Sequence, residues 1–487
     1  MNNNRKNIVQ LEGYISVCSK EDFEKIYASA LDILENVGMK VGSDVILDYA
    51  RDFGVKIDRE KKLAKFSPAL IEKVINLIKN ENSKNPVTQW TKQDSYKTSF
   101  GEVCVFLYDY DNKKKQRALL NDVIELIHIG DALDEVSSVT IPVMDSGCDP
   151  RIEAIKGCEL LLIHSKKGTG CGIRNPDQTK YMVRFDEITG HGPDNPKYVQ
   201  TGRCVISPLD FSSDACALFE QLIKYGYTKE FWIATAPISG ATAPVTVAGA
   251  VTLMVAEILG SFTILKAINQ NAEVKAKVVS SIMDMKTTKP SYAAPEAVQQ
   301  DVAVCQFFRW LCNIRTGVAG GYTDVKIPGI QAGYEKIFRS MALSTTLGTP
   351  ILPIGTLESG NTFSVTQAMI DIEFNKVLFK FFQGFELNDE TIALDVIKEV
   401  GVGNSKTYLD TEHTVRNFRQ ALYMPEFWDR SPWKDDMTEL KKEEQMITQA
   451  NMKWKEALRK YEPPIVDKNV LGEFRGVIRE AEKELLV

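Results

Sequence analysis

The run Phe231-Trp232-Ile233-Ala234-Thr235-Ala236, the small-residue stretch Pro237-Ile238-Ser239-Gly240-Ala241-Thr242-Ala243-Pro244 and the apolar segment Val245 to Leu259 stand in unbroken succession. Aromatic and branched residues at the start favour an extended strand, the small residues favour a tight connection, and the last segment is long enough for a helix. The same alternation recurs on either side. Apolar runs at Val136 to Val143, Cys204 to Pro208, Val274 to Ser280, Leu311 to Thr316 and Ile351 to Thr356 are separated by helix-length segments such as Ile152 to His164 and Ala215 to Tyr225. This spacing predicts an α/β protein, with a TIM (β/α)8 barrel over residues 121–435. A doubly wound sheet would carry a Gly-rich dinucleotide turn, and Gly168-Thr169-Gly170-Cys171-Gly172 lacks the required spacing. That stretch reads as a strand end.

Residues 1–120 read as an N-terminal accessory region. Ser19 with Asp22 predicts a capped helix start, followed by a stripe at Phe23, Ile26, Tyr27, Ala30, Leu31 and Leu34 and a stop at Gly38. Ser67-Pro68 announces a second helix, and Val103–Tyr108 with Lys115–Leu119 predicts a β-hairpin. Residues 436–487 form a charged helical tail, with Leu440, Met446, Ile447, Trp454 and Leu458 set among Lys and Glu, expected to pack on its own barrel or on another subunit.

The 487 residues carry 59 Lys plus Arg against 65 Asp plus Glu, a formal charge of -6, so nothing supports general binding of a phosphate backbone and nucleic acid is not expected. Nine cysteines lie singly, with no C-x-x-C pair, which points to reduced thiols and a cytoplasmic setting. The N-terminal Met1 to Asn7 lacks a following apolar region, and no membrane span is expected. Four histidines, none paired at i+4, and no G-x-S-x-G elbow argue against zinc chemistry and covalent hydrolysis. No metal site is expected.

In a barrel, chemistry collects after the C-terminal ends of the strands. Four stretches qualify. The small-residue loop with Gly240 and Thr242 lets a large partner approach the backbone, or simply allows tight packing. Arg315-Thr316-Gly317-Val318-Ala319-Gly320-Gly321-Tyr322-Thr323-Asp324 offers a guanidinium for a carboxylate and a phenol with a carboxylate for a cation; alternatively, Arg315 and Asp324 form a structural salt bridge. Leu357-Glu358-Ser359-Gly360-Asn361-Thr362-Phe363-Ser364 places the carboxylate Glu358 and the aromatic Phe363 after an apolar run, with Ser364 as a helix cap. Met283-Asp284-Met285-Lys286 with Tyr292 is a weaker candidate.

Taken in order along the chain, Ile33-Leu34-Glu35-Asn36-Val37-Gly38, Gly240 to Thr246, Thr323-Asp324-Val325-Lys326-Ile327-Pro328, Gln331-Ala332-Gly333-Tyr334-Glu335-Lys336, Leu357-Glu358-Ser359-Gly360 and Ala393-Leu394-Asp395-Val396-Ile397 resemble the trimethylamine methyltransferase (MttB-like) superfamily. The resemblance implies a TIM barrel that moves a methyl group from a methylated amine to the cobalt of a separate corrinoid protein. The trimethylamine enzymes carry pyrrolysine near the place of Gly320 to Asp324, where this chain has ordinary residues. A quaternary ammonium needs no such activation, because a neutral amine already leaves from it. The chain is therefore similar to the pyrrolysine-lacking branch acting on glycine betaine, proline betaine, carnitine or γ-butyrobetaine.

The resemblance implies direct displacement; by residue type and predicted strand position, Glu358, Asp324, Tyr322 and Phe363 are expected to hold the onium head, Arg315 any substrate carboxylate, and Gly240 and Thr242 are expected to face the corrinoid. The expected partners are a cognate corrinoid protein, which carries the cobalamin, and further copies of the chain as a homo-oligomer; no cofactor is expected to be tightly bound to this chain. A barrel enzyme acting on amines without cobalt and a non-catalytic quaternary-amine binding protein are the alternatives.

Overall fold

The computed structural model describes residues 8–9, 16–83, 98–348, 351, 354–403, 406–433 and 439–486. Met1 to Asn7, residues 352 and 353 of the Ile351–Thr356 run, residues 436–438 at the start of the tail and the Leu440 side chain lie outside the described residues. The architecture is mixed α/β, built from repeated strand–helix units. Four parallel strands, Gly202–Cys204, Glu230–Thr235, Glu273–Val278 and Gly317–Val318, form the best-developed sheet, paired in that order. Thr98–Phe100 pairs in parallel with Val136–Val139, which continues to Gly168 through an isolated parallel bridge. Phe106–Asp109 and Lys114–Gln116 form the expected hairpin, and its first strand also pairs in parallel with Thr362–Phe363. Among the described residues these ladders do not join into one continuous sheet.

Strand alternation sets which face meets the helices. Phe231, Ile233 and Thr235, with Val274, Ala276 and Val278, are buried against the long helix Val247–Ile268. That helix is long and apolar enough to cross a membrane, but 78% of its most apolar window is buried, which makes it a core helix. It begins at Val247 with Thr246 as its cap, so Pro244 sits before the helix rather than in its first turn. The run Leu311–Thr316 is not a strand. It is the end of helix Pro295–Cys312 and the turn after it, because a short apolar run carries no period that separates a buried helix from a strand.

The N-terminal helices Lys20–Asp32, Asp44–Phe53 and Pro68–Asn82 pack on Val247–Ile268. The Ser19–Asp22 capping box and the Ser67 cap form as the sequence predicts. At the other end of the chain, helix Lys468–Leu485 lies on Glu153–His164 and Thr179–Ile188, with Phe474 stacked on Phe185 at 4.1 Å. The tail thus packs on its own chain.

Candidate functional site

The parallel register aligns Cys204, Ala234, Lys277 and Gly317 in one row across the sheet, on the face turned away from the helices. A second row holds Gly202, Trp232 and Lys275. Any Cβ at Gly202 would collide with the Trp232 indole and backbone, so glycine is what lets the ring lie across the neighbouring strand. Lys277 is the diagonal neighbour of Trp232, and its ammonium sits 4.0 Å from the indole centroid.

Facing this surface from other elements are Glu102, two residues beyond Thr98–Phe100, and Tyr322, after Gly317–Val318. Glu102 feels the charge of Lys277 although their strands are not neighbours, so the face is concave. Glu102, Cys204 and Lys277 are accessible to water yet ringed by protein. Burial raises the Glu102 carboxyl above the usual carboxylate range, against the pull of Lys277 and Lys336. Burial likewise lowers the Lys277 ammonium and raises the Cys204 thiol, which stays protonated and unreactive near neutral pH. Tyr322 is raised by burial and by the nearby Glu102. Its ring lies 5.0 Å from Tyr292 at 37°.

Buried polar ties fix these loops. Arg339 and Asp301, both fully buried, pair at 2.5 Å. Asp301 accepts from the Ser280 backbone N–H at 2.8 Å, while Arg339 donates to the carbonyls of Tyr292 and Ala319, each at 2.9 Å. The Asp324 carboxylate accepts from the Tyr292 N–H at 2.9 Å and from the Ser291 hydroxyl. Asp324 therefore positions the Tyr292 ring rather than standing open to a ligand.

The structure brings together only some of the residues named from the sequence. Tyr322 and Asp324 adjoin the concave face, and so does Tyr292. Glu358 and Ser359 form a left-handed turn, at φ 50° and 58°, held by hydrogen bonds from their N–H groups to the Val325 and Thr323 carbonyls. The Glu358 carboxylate is engaged by Lys115 of the hairpin and by the Thr362 hydroxyl at 2.6 Å. Although its burial raises its pKa, those hydrogen bonds prevail and hold it below the ordinary glutamate value. Phe363 is fully buried, edge-on to Phe100 at 5.1 Å, and is part of the core rather than a face open to a cation.

Arg315 precedes Gly317–Val318, because the apolar run before it is helix, and so it sits at the N-terminal end of the strands. There it lines an 820 Å³ cavity with Lys229, Glu273 and Asn271, away from Tyr322, and it makes no ion pair with Asp324 among the described residues. Asp284 caps its own turn, accepting from the Lys286 N–H at 3.0 Å. In the loop after Glu230–Thr235, Gly240 is exposed at φ 88°, and the Thr242 hydroxyl accepts from the Ile238 N–H at 2.9 Å.

Glu102, Trp232 and Lys277 are absent from the sequence candidates. A signal for Lys277 exists: Glu273-Val274-Lys275-Ala276-Lys277-Val278 alternates strictly, so the lysines share the face opposite the buried valines. Glu102 carries no local signal.

The acidic and basic groups, two tyrosines and an indole on one concave face suit a small charged organic ligand. Among the described residues, no cluster of His, Cys, Asp and Glu has the arrangement to hold a metal. Comparison with known proteins agrees with the resemblance read from the motifs. Trimethylamine methyltransferase MttB of Desulfitobacterium hafniense is 25% identical, over 98% of this chain and 96% of its own length. Glycine betaine methyltransferase of the same species is 23% identical, over 98% and 99%. The crystal structure of Methanosarcina barkeri monomethylamine methyltransferase (MtmB) aligns over 90% of this chain and 94% of its own, with a TM-score of 0.44 and 12% identity. The family model described as trimethylamine methyltransferase (MTTB) matches residues 1–485, and the chain belongs to that family.

Proposed function

We propose that the protein transfers a methyl group from a quaternary amine of the betaine type to cobalt(I) of a corrinoid carried by a separate protein. Family membership supplies the coarse activity, since the named relatives are methyltransferases of methylated amines. The observation that carries the finer reading is Glu102, a carboxylate with no ion-pair or hydrogen-bond partner among the described residues, beside Tyr322 on a concave face. A permanent cation is the natural complement of such a group, and tyrosine faces add attraction. Tyr322 and Tyr292 border the onium head, Asp324 holds Tyr292 in place, and Glu358 braces the turn behind Tyr322. Phe363 backs that turn from the core. Gly240 and Thr242 shape an exposed loop that faces the partner.

The chain's own task is positioning and desolvation. The methyl carbon–nitrogen bond breaks with its electron pair left on nitrogen, and the cobalt(I) electron pair forms the new bond to carbon. The departing tertiary amine is neutral, so no general acid is needed. In the same reading, the successive strand positions near 98–104, 136–143, 168–173, 202–206, 230–235, 273–278, 316–319 and 354–357 wrap as one (β/α)8 barrel, with the site at its C-terminal mouth.

The test is methylation of a reduced corrinoid protein, followed by its visible spectrum, with glycine betaine, proline betaine, carnitine, γ-butyrobetaine and trimethylamine as donors. At least one quaternary amine is expected to react. Consumption of trimethylamine alone would overturn the reading.

A further inference from the structure

The concave face holds two charges of opposite sign that have no ion-pair partner among the described residues, and the proposed function has used one of them. Lys277 stands between Ala234 and Gly317 in its cross-strand row, neighbours too small to cover it. A Cβ at Gly317 would lie 3.1 Å from the Lys277 Cγ, so glycine leaves the lysine stem its space. No carboxylate among the described residues comes within ion-pair distance of Lys277, although Glu102 and Glu230 are near enough for their charge to reach it. Glu230 is already engaged by Lys275, at 2.6 Å. Lys275, two residues earlier on the same face, also meets Glu273 at 3.5 Å. The two lysines therefore differ in kind: one closes a surface ion-pair set, and the other presents an ammonium over an indole.

We infer that Lys277 binds the carboxylate end of the substrate while Glu102 and the tyrosines face its onium end, so that the site selects zwitterionic quaternary amines over simple cations. The inference rests on the reading of the chain as a quaternary-amine methyltransferase. It gives Lys277 the role that Arg315, at the other end of the strands, is not placed to fill. A charge-assisted hydrogen bond in a site ringed by protein is strong enough to set such a preference.

The experiment compares glycine betaine with choline, which has the same trimethylammonium head and a hydroxyl in place of the carboxylate. Wild type, Lys277→Met and Lys277→Arg are assayed for methylation of the reduced corrinoid protein, and for binding of both compounds by calorimetry. The ratio of kcat/KM for glycine betaine over choline is expected to fall ~10–100-fold in Lys277→Met. The change should reside mainly in KM, with partial rescue in Lys277→Arg. Circular dichroism of the variants checks folding.

Equal use of both donors by the wild type, or an equal loss of both in Lys277→Met, overturns the assignment while leaving the methyltransferase reading intact. Binding of glycine betaine with no methyl transfer from any quaternary amine overturns that reading instead, and the calorimetric preference still decides the role of Lys277. Binding of neither compound by the wild type overturns the assignment.

Discussion

A carboxylate and an ammonium with no ion-pair partner among the described residues are costly to keep inside a ring of protein. Burial raises Glu102, so in its window the folded chain holds more protons than the unfolded chain, and stability falls as pH rises through it. Burial lowers Lys277, so in its window the folded chain holds fewer protons, and stability is lost as pH falls through it. Burial disfavours the charged form of both groups. Glu102→Gln is therefore expected to raise the thermal midpoint while removing methyl transfer, as calorimetry and the corrinoid assay would show. The pH profile of kcat/KM for a zwitterionic donor is expected to be a bell, narrower than ordinary Glu and Lys values would give. Its acid limb follows Glu102, which faces Lys277 and Lys336, and its alkaline limb follows Lys277, which faces Cys204, Glu102, Glu230 and Lys275. A profile flat between ordinary glutamate and lysine values would contradict it.

Helices Pro295–Cys312 and Ile330–Leu347 show how whole elements are tied to the site. Each contributes one member of the Asp301–Arg339 pair, and the pair grips the chain at Ser280, Tyr292 and Ala319, at or just after strands. Arg339→Met would leave Asp301 charged and buried with the Tyr292 and Ala319 carbonyls released. A loss of about 3–5 kcal/mol is expected, read from urea unfolding. This pair was not legible in the sequence, because its members are distant in the chain and neither sits in a motif. The helix caps were legible, because Ser19, Ser67 and Ser364 act on N–H groups within three residues of themselves. The same locality explains the misreading at Leu311–Thr316: helix or strand there depends on what the apolar residues pack against.

Across the whole molecule, the tail is joined to the central region by a contact that titrates. His128 and His164 meet at 3.0 Å, and Tyr461 stacks on His128 at 3.8 Å while donating to the His164 carbonyl at 2.9 Å. Burial lowers both imidazoles; His164 also opposes the charging of His128, while Asp131 supports the charged form of His128 and Glu159 that of His164, each more weakly than burial opposes it. Because the folded values lie below the unfolded ones, the unfolded chain takes up more protons there, and stability is lost as pH falls through the histidine range. Urea midpoints are expected to drop between pH 7.5 and 5.5, with a smaller drop in His128→Phe. The four histidines look isolated in sequence, and only the packing of helices Leu120–Ala132 and Glu153–His164 brings two of them together.

The amino-acid order by itself determined the strand–helix alternation, the caps, the hairpin and the family, since each rests on short-range periodicity or on contiguous motifs. It also singled out Tyr322 and Asp324, although the strand they follow is Gly317–Val318 and not the Leu311–Thr316 run. Which charges were left without partners was decided by the tertiary structure. Glu358 meets Lys115 and Lys275 meets Glu230 only once distant strands are in register, and those pairings leave Glu102 and Lys277, the charges proposed to meet the ligand, without an ion-pair partner among the described residues.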